Sequence, residues 1–357
     1  MQLGVYSFGA IARDPDTGQL ATTAQATRNL LEAVRLADEV GLDYFGIGEH
    51  HTHLMPASAA STILAAAASV TSRILLGSSV TVLSTEDPVR VYEQFATLDA
   101  LSHGRAEITA GRGSSTESFP LFGFDLRDYD QLYAEKLELL LKINESERVT
   151  WSGTTRPALD NALVVPRPDA GHLPIWLGTG GSPRSSVRAG QLGLPVAYGV
   201  IGGQPERFSG LADLYRKAWA QSGHHPAQAR VSVGNFGFIA DTTQSAKDIF
   251  FEGWEETMTD AASRKGFSVP NRRRYEAETE IGAIFAGSPQ RIAERIIALH
   301  SSLGHMRQFL QMDFGPISQR DFLHSIELLG TKVKPLVDAD LGAEPADLRG
   351  SITGVMA

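Results

Sequence analysis

Ile74-Leu75-Leu76-Gly77-Ser78-Ser79-Val80-Thr81-Val82-Leu83 opens as an unbroken apolar run and closes in small and β-branched residues. A strand with one wet face alternates apolar and polar side chains. A run without alternation suits a strand covered on both faces, the habit of parallel sheets. The flanks read as helices: the alanine-rich Ser58–Val70 before it, and Val89–Leu101 after Asp87-Pro88, where proline suits a first helical turn.

The same rhythm extends in both directions. Strands are expected at Leu3–Phe8, Tyr44–Gly48, Ile74–Leu83, Arg105–Ala110, Ile175–Gly178, Val196–Val200, Val231–Ile239 and Gln308–Asp313. Between the first two, Ala26, Leu30, Val34, Ala37 and Val40 recur at helical spacing, and Gly41 stands where a helix C′ residue belongs. Further helices are expected near Tyr129–Ile143, Glu206–Gln221, Pro289–Ser302 and Gln319–Leu329. Strands alternating with helices make a parallel sheet. An open doubly wound sheet fits the same count, but length and strand number favour an α/β fold closed as a (β/α)8 TIM barrel, with insertions in the loops after strands 4 and 7. The expected organisation is one domain over 1–337, a lid or interface insertion at 244–286, and a loosely ordered tail over 338–357. The insertion mixes Phe250, Phe251, Trp254 and Phe267 with Arg272-Arg273-Arg274.

Composition narrows the function. Of 357 residues, 42% are hydrophobic and 20% charged, enough for a sizeable core. The net charge of −9 is spread along the chain without a basic block, which argues against nucleic acid and anionic membranes as partners. There are no cysteines, so disulfides, thiolate zinc sites, iron–sulfur clusters and a catalytic thiol are excluded. No signal peptide or membrane span is read, and a cytoplasmic location is expected.

In such a barrel the chemistry lies where strands end. After strand 2 comes Gly48-Glu49-His50-His51-Thr52-His53, a polar cluster in which histidine can exchange a proton near neutral pH. Glu49, His50 and His51 are the catalytic candidates, with His50 oriented by Glu49 or His51. Ser78 and Ser79, after strand 3, would let a flat ring approach the backbone; equally, small side chains fill a narrow barrel centre. After strand 4, Arg112 stands between Gly111 and Gly113 before Ser114 and Ser115, a guanidinium fork suited to phosphate. After strand 5, Thr179, Gly180, Gly181 and Ser182 lead through Pro183 into a helix, an anion site made of amides and helix dipole. Asp313, at the end of strand 8, reads as a structural partner for a barrel arginine. His51, His53 and Asp313 also offer a metal-dependent hydrolase reading, but the further histidines it wants after strands 5 and 6 are missing, and no metal site is expected.

The ordered set Gly48-Glu49-His50-His51, Gly77–Leu83, Asp87-Pro88-Val89-Arg90, Leu101-Ser102-His103-Gly104-Arg105, Gly287-Ser288-Pro289 and Ser325–Gly330 resembles the bacterial luciferase-like monooxygenase family. The resemblance spans roughly residues 1–335. It implies a (β/α)8 barrel that binds reduced flavin and uses molecular oxygen. His50 falls on the histidine that members use near the reactive flavin, and Ser79-Val80 on a non-proline cis peptide under the ring. Arg112 and Thr179–Ser182 fall on the two phosphate-binding segments. The chain departs from luciferase at Gly111, where luciferase has a reactive cysteine, and at Thr179, where the family has an acid, so light emission is not implied.

The expected function is a monooxygenase using reduced FMN and molecular oxygen on a small organic substrate. A separate flavin reductase or NAD(P)H would supply the reduced flavin, and a homo-oligomer is expected. The alternative is hydride transfer with a deazaflavin coenzyme.

Overall fold

The computed structural model describes residues 1–113, 115–265 and 269–342. Eight strands form its barrel: β1 (Gln2–Ser7), β2 (Tyr44–Ile47), β3 (Leu75–Ser78), β4 (Ala106–Gly111), β5 (Ile175–Thr179), β6 (Val196–Val200), β7 (Val231–Ile239) and β8 (Arg307–Gln311). Each pairs in parallel with the next, and β8 returns to β1 with Gln2 beside Arg307, which closes the sheet. The expected third strand is interrupted: Ser79 and Val80 leave the ladder, and Thr81–Val82 resumes pairing with β4.

Around the barrel lie α1 (Thr23–Glu39), α2 (Ala60–Ala68), α3 (Pro88–Ser102), α4 (Tyr129–Glu145), α5 (Pro183–Gln191), α6 (Ser209–Gln221), α7 (Thr243–Lys265), α8 (Arg272–Ile281), α9 (Pro289–Leu303) and α10 (Gln319–Leu328). Local chemistry sets their ends. Asp87 caps α3 by accepting from the amides of Val89 and Arg90. Gly41, two residues past the end of α1, takes φ +82°, a conformation that glycine adopts without strain. The excursion after α4 folds as an antiparallel hairpin, Arg148–Trp151 with Leu159–Leu163.

A buried ion pair joins the start of β8 to β4. Arg307 forks onto Glu107, with Nη2 to Oε2 at 3.1 Å, and its guanidinium lies over the rings of Tyr44 and Trp176 at 4.4 and 4.8 Å. The barrel arginine is thus matched by Glu107, not by Asp313.

The connection between β7 and β8 carries α7, α8 and a short strand, Ile284–Gly287, that pairs with the end of β7. Its aromatics turn inward on themselves. Phe250 stacks on Phe238 of β7, and Trp254 and Phe251 close on Tyr275 of α8. Arg272 is held by Asp248 and Glu276. Phe267, Ser114 and the tail from residue 343 lie outside the described residues. No helix among the described residues is long and apolar enough to cross a membrane.

Candidate active site

Parallel strands deliver their C-terminal ends to one face, so residues distant in sequence meet there. β2 ends at Ile47, and Glu49, His50 and His51 follow on the rim. His50 is turned by a residue the sequence reading did not select: Nδ1 lies 2.6 Å from Oε1 of Glu117, in the connection after β4. Burial alone would raise the Glu117 carboxyl, but hydrogen bonds from His50 and Ser115 outweigh it and hold the group well below the usual carboxylate range. An ionised carboxylate only accepts, so Nδ1 carries the hydrogen and Nε2 is the nitrogen left for exchange. Phe8 packs edge-on to the imidazole at 4.4 Å. Glu49 serves His51 instead, with Oε1 3.0 Å from Nε2, while its Oε2 accepts from the Val82 amide at 3.3 Å. Sixty-seven positions separate His50 from Glu117, and no spacing rule joins them; only their places after β2 and β4 do.

Beside this pair lies a small-residue floor. The Ser79–Val80 peptide is cis, as the resemblance implies. The Val80 side chain lies across Gly111 and Gly178: a Cβ at these positions would meet its methyls at 2.4 and 2.9 Å. Luciferase's cysteine has no room at position 111 in this packing. Ser78 contributes no open hydroxyl, since Oγ accepts from the Thr109 amide at 3.0 Å and is fully buried.

Arginines follow the ends of β4 and β5. Arg112 leaves the end of β4 and lies over Tyr129 and Tyr133 at 5.3 and 5.9 Å. Arg188 of α5 approaches the Tyr133 ring at 5.6 Å. Arg184, also on α5, lies 3.9 Å from Asp130, to which Arg112 Nη1 donates at 2.7 Å. The Thr179–Ser182 turn leads directly into α5. Thr179 Oγ1 accepts from the amides of Gly181 and Ser182, both at 3.3 Å, and Ser182 caps the helix through the Ser185 amide. Arg112 thus shares Asp130 with Arg184 and the Tyr133 ring with Arg188, both on the helix into which the Thr179–Ser182 turn leads. Their i, i+4 spacing on one helix was the signal available in sequence.

Asp313 closes the rim between β8 and β1. Its Oδ2 accepts from Ser7 Oγ at 2.5 Å and from the Ala10 amide at 3.1 Å, while Oδ1 is buried without a partner. Burial pushes this carboxyl up to about 6. Among the described residues, no three acidic or histidine side chains gather as a metal-binding set.

The cradle fits a flavin mononucleotide chemically. Small residues beside Val80 are of the kind that lets a flat ring approach the backbone, and Arg112, Arg184 and the N-terminus of α5 are groups of the kind that could hold its phosphate.

Residues 1–306 match the family model described as luciferase-like monooxygenase. Limonene 1,2-monooxygenase of Rhodococcus erythropolis is 25% identical over 319 residues, covering 87% of this chain and 82% of that protein. The F420-dependent glucose-6-phosphate dehydrogenase of Beutenbergia cavernae is 36% identical over 179 residues, 47% of this chain and 51% of that one. Among solved structures, the oxygenating constituent of 3,6-diketocamphane monooxygenase from Pseudomonas putida, in complex with FMN, superposes with a TM-score of 0.74 at 20% identity, covering 94% of this chain and 98% of that one.

Proposed function

The chain belongs to the luciferase-like monooxygenase family, and on that premise we propose that it is a flavin-dependent monooxygenase acting with reduced FMN on a small organic substrate. The observation that carries this reading is that Arg112, just after β4, and Arg184, in the first turn of α5, share the Asp130 carboxylate on the same barrel face as the His50–Glu117 pair, with Arg188 farther along α5 against the Tyr133 ring. The family includes FMN-binding and F420-dependent proteins, and a basic cluster of this size suits the terminal phosphate of FMN.

Bound FMN, once reduced, supplies the electrons that activate molecular oxygen. The chain's own contributions follow from the geometry. Arg112, Arg184 and the α5 N-terminus would hold the phosphate; Ser79, Val80, Gly111 and Gly178 would shape the floor beneath the ring. Glu117 fixes the His50 imidazole so that Nε2 can take or return a proton. Glu49 orients His51, and Phe122, edge-on to His51 at 5.1 Å, helps keep water from that side. A separate reductase or NAD(P)H would supply the reduced flavin.

Fluorescence titration with FMN and with a deazaflavin coenzyme tests the reading. Tighter binding of FMN is expected, together with oxygen-dependent product formation. Preferential binding of the deazaflavin would move the chain to the hydride-transfer branch, to which its 36% identity with the F420-dependent relative also points.

A further inference from the structure

Asp130 is the carboxylate set among the cations of this site. It stands in the first turn of α4, with Oδ1 2.7 Å from Arg112 Nη1 and Oδ2 3.9 Å from Arg184 Nη1. The site prepared for a phosphate is thus already bridged by an anion from the chain itself. Arg112 has no other salt-bridge partner among the described residues. Its side chain is only 31% exposed and its guanidinium is steadied by the Tyr129 and Tyr133 rings, so the rings, besides Asp130, keep it in place. Tyr129 is itself anchored, its hydroxyl donating to the Gly113 carbonyl at 2.8 Å.

We propose that Asp130 is an internal competitor for the flavin phosphate, tuning this site so that FMN exchanges as a diffusible co-substrate instead of remaining as a resident prosthetic group. The inference rests on the flavin reading above. A dianionic phosphate arriving at Arg112 either displaces the Asp130 carboxylate, losing an existing ion pair, or shares the guanidinium with it at the expense of like-charge repulsion. Both routes weaken binding, and both act on the phosphate and not on the ring. Asp130 is 65% exposed, so it can swing into water when displaced, as a reversible competitor must. An exchangeable flavin matches a chain that takes its reduced flavin from elsewhere.

The test is the affinity and release rate of FMN and riboflavin for wild type and for Asp130→Asn, read by flavin fluorescence. The substitution is expected to tighten FMN about 3- to 30-fold, the scale of a partly screened charge interaction, mostly through slower release. Riboflavin, without a phosphate, should change by less than about twofold. If Asp130 instead holds Arg112 ready for phosphate, the variant binds FMN more weakly. Weaker or unchanged FMN binding, with riboflavin still bound, overturns the proposal and leaves the flavin reading standing. If neither protein binds either ligand, the flavin reading itself fails and this inference falls with it.

Discussion

His50 Nδ1 and Glu117 Oε1 lie 2.6 Å apart and join the connection after β4 to the rim after β2. Glu117 is held below the usual carboxylate range and stays ionised through neutral pH, so it accepts from Nδ1 and fixes the tautomer of the ring. His50→Ala is therefore expected to slow product formation on the order of 10²–10⁴-fold, the usual loss of an acid–base group, with FMN affinity nearly intact. Glu117→Gln keeps a hydrogen-bonding shape but removes the charge, and a smaller loss is expected. His51→Ala should rank last. Steady-state rates beside FMN titrations check the order; His51→Ala as the worst of the three would transfer the role to the Glu49–His51 pair.

Arg112→Ala should weaken FMN binding by roughly 1.5–3 kcal/mol, the range for a hydrogen bond to a charged group. Riboflavin should scarcely respond. Equal losses for both ligands would place Arg112 away from the phosphate.

Gly111→Ala sets a methyl 2.4 Å from a methyl of Val80 and 2.9 Å from its Cβ. Valine is stiff at χ1 and cannot swing aside freely. The expected result is a destabilisation of about 1–3 kcal/mol from overpacking. Urea denaturation of the variant checks it, and an unchanged midpoint would mean that Val80 has somewhere to move.

The barrel was legible because its signals are local. Apolar runs such as Ile74-Leu75-Leu76, the Asp87-Pro88 cap and Gly41 each report on neighbours in sequence, and each appears in its expected element. The places of Arg112 and the Thr179–Ser182 turn, at the ends of β4 and β5, were legible for the same reason: where a strand stops is set by neighbours in sequence. Glu117 was not, because closing the barrel is what sets its connection against His50. Nor was the Glu107–Arg307 pair, since strand patterns read polar residues as outward and only closure supplies a buried partner. Asp313 had a barrel arginine in prospect and finds Ser7 and Ala10 instead: Arg307 stands at the start of β8 against Glu107, while Asp313 lies past the other end of that strand.

Asp313 supplies the last prediction, a dependence of stability on pH with a definite sign. Burial lifts its carboxyl from 3.8 to about 6 in the folded protein. Between those values the unfolded chain ionises first and binds fewer protons than the native one. Stability from this group is therefore highest below its unfolded value, falls as pH rises through this window, and levels off above about 6. The whole effect is on the order of 3 kcal/mol, from the free energy that one pKa unit represents. Glu117, held low, gives the opposite slope at more acid pH, so a single wild-type profile mixes the two. Asp313→Asn separates them. Its amide oxygen can keep the bonds from Ser7 and Ala10, and it has no charge to bury. Measured by urea denaturation, the stability of the variant relative to wild type should climb as pH goes from about 4 to about 7 and then hold steady. A difference that stays constant across that window would mean that Asp313 titrates at its ordinary value, and that water reaches the Oδ1 side of the rim.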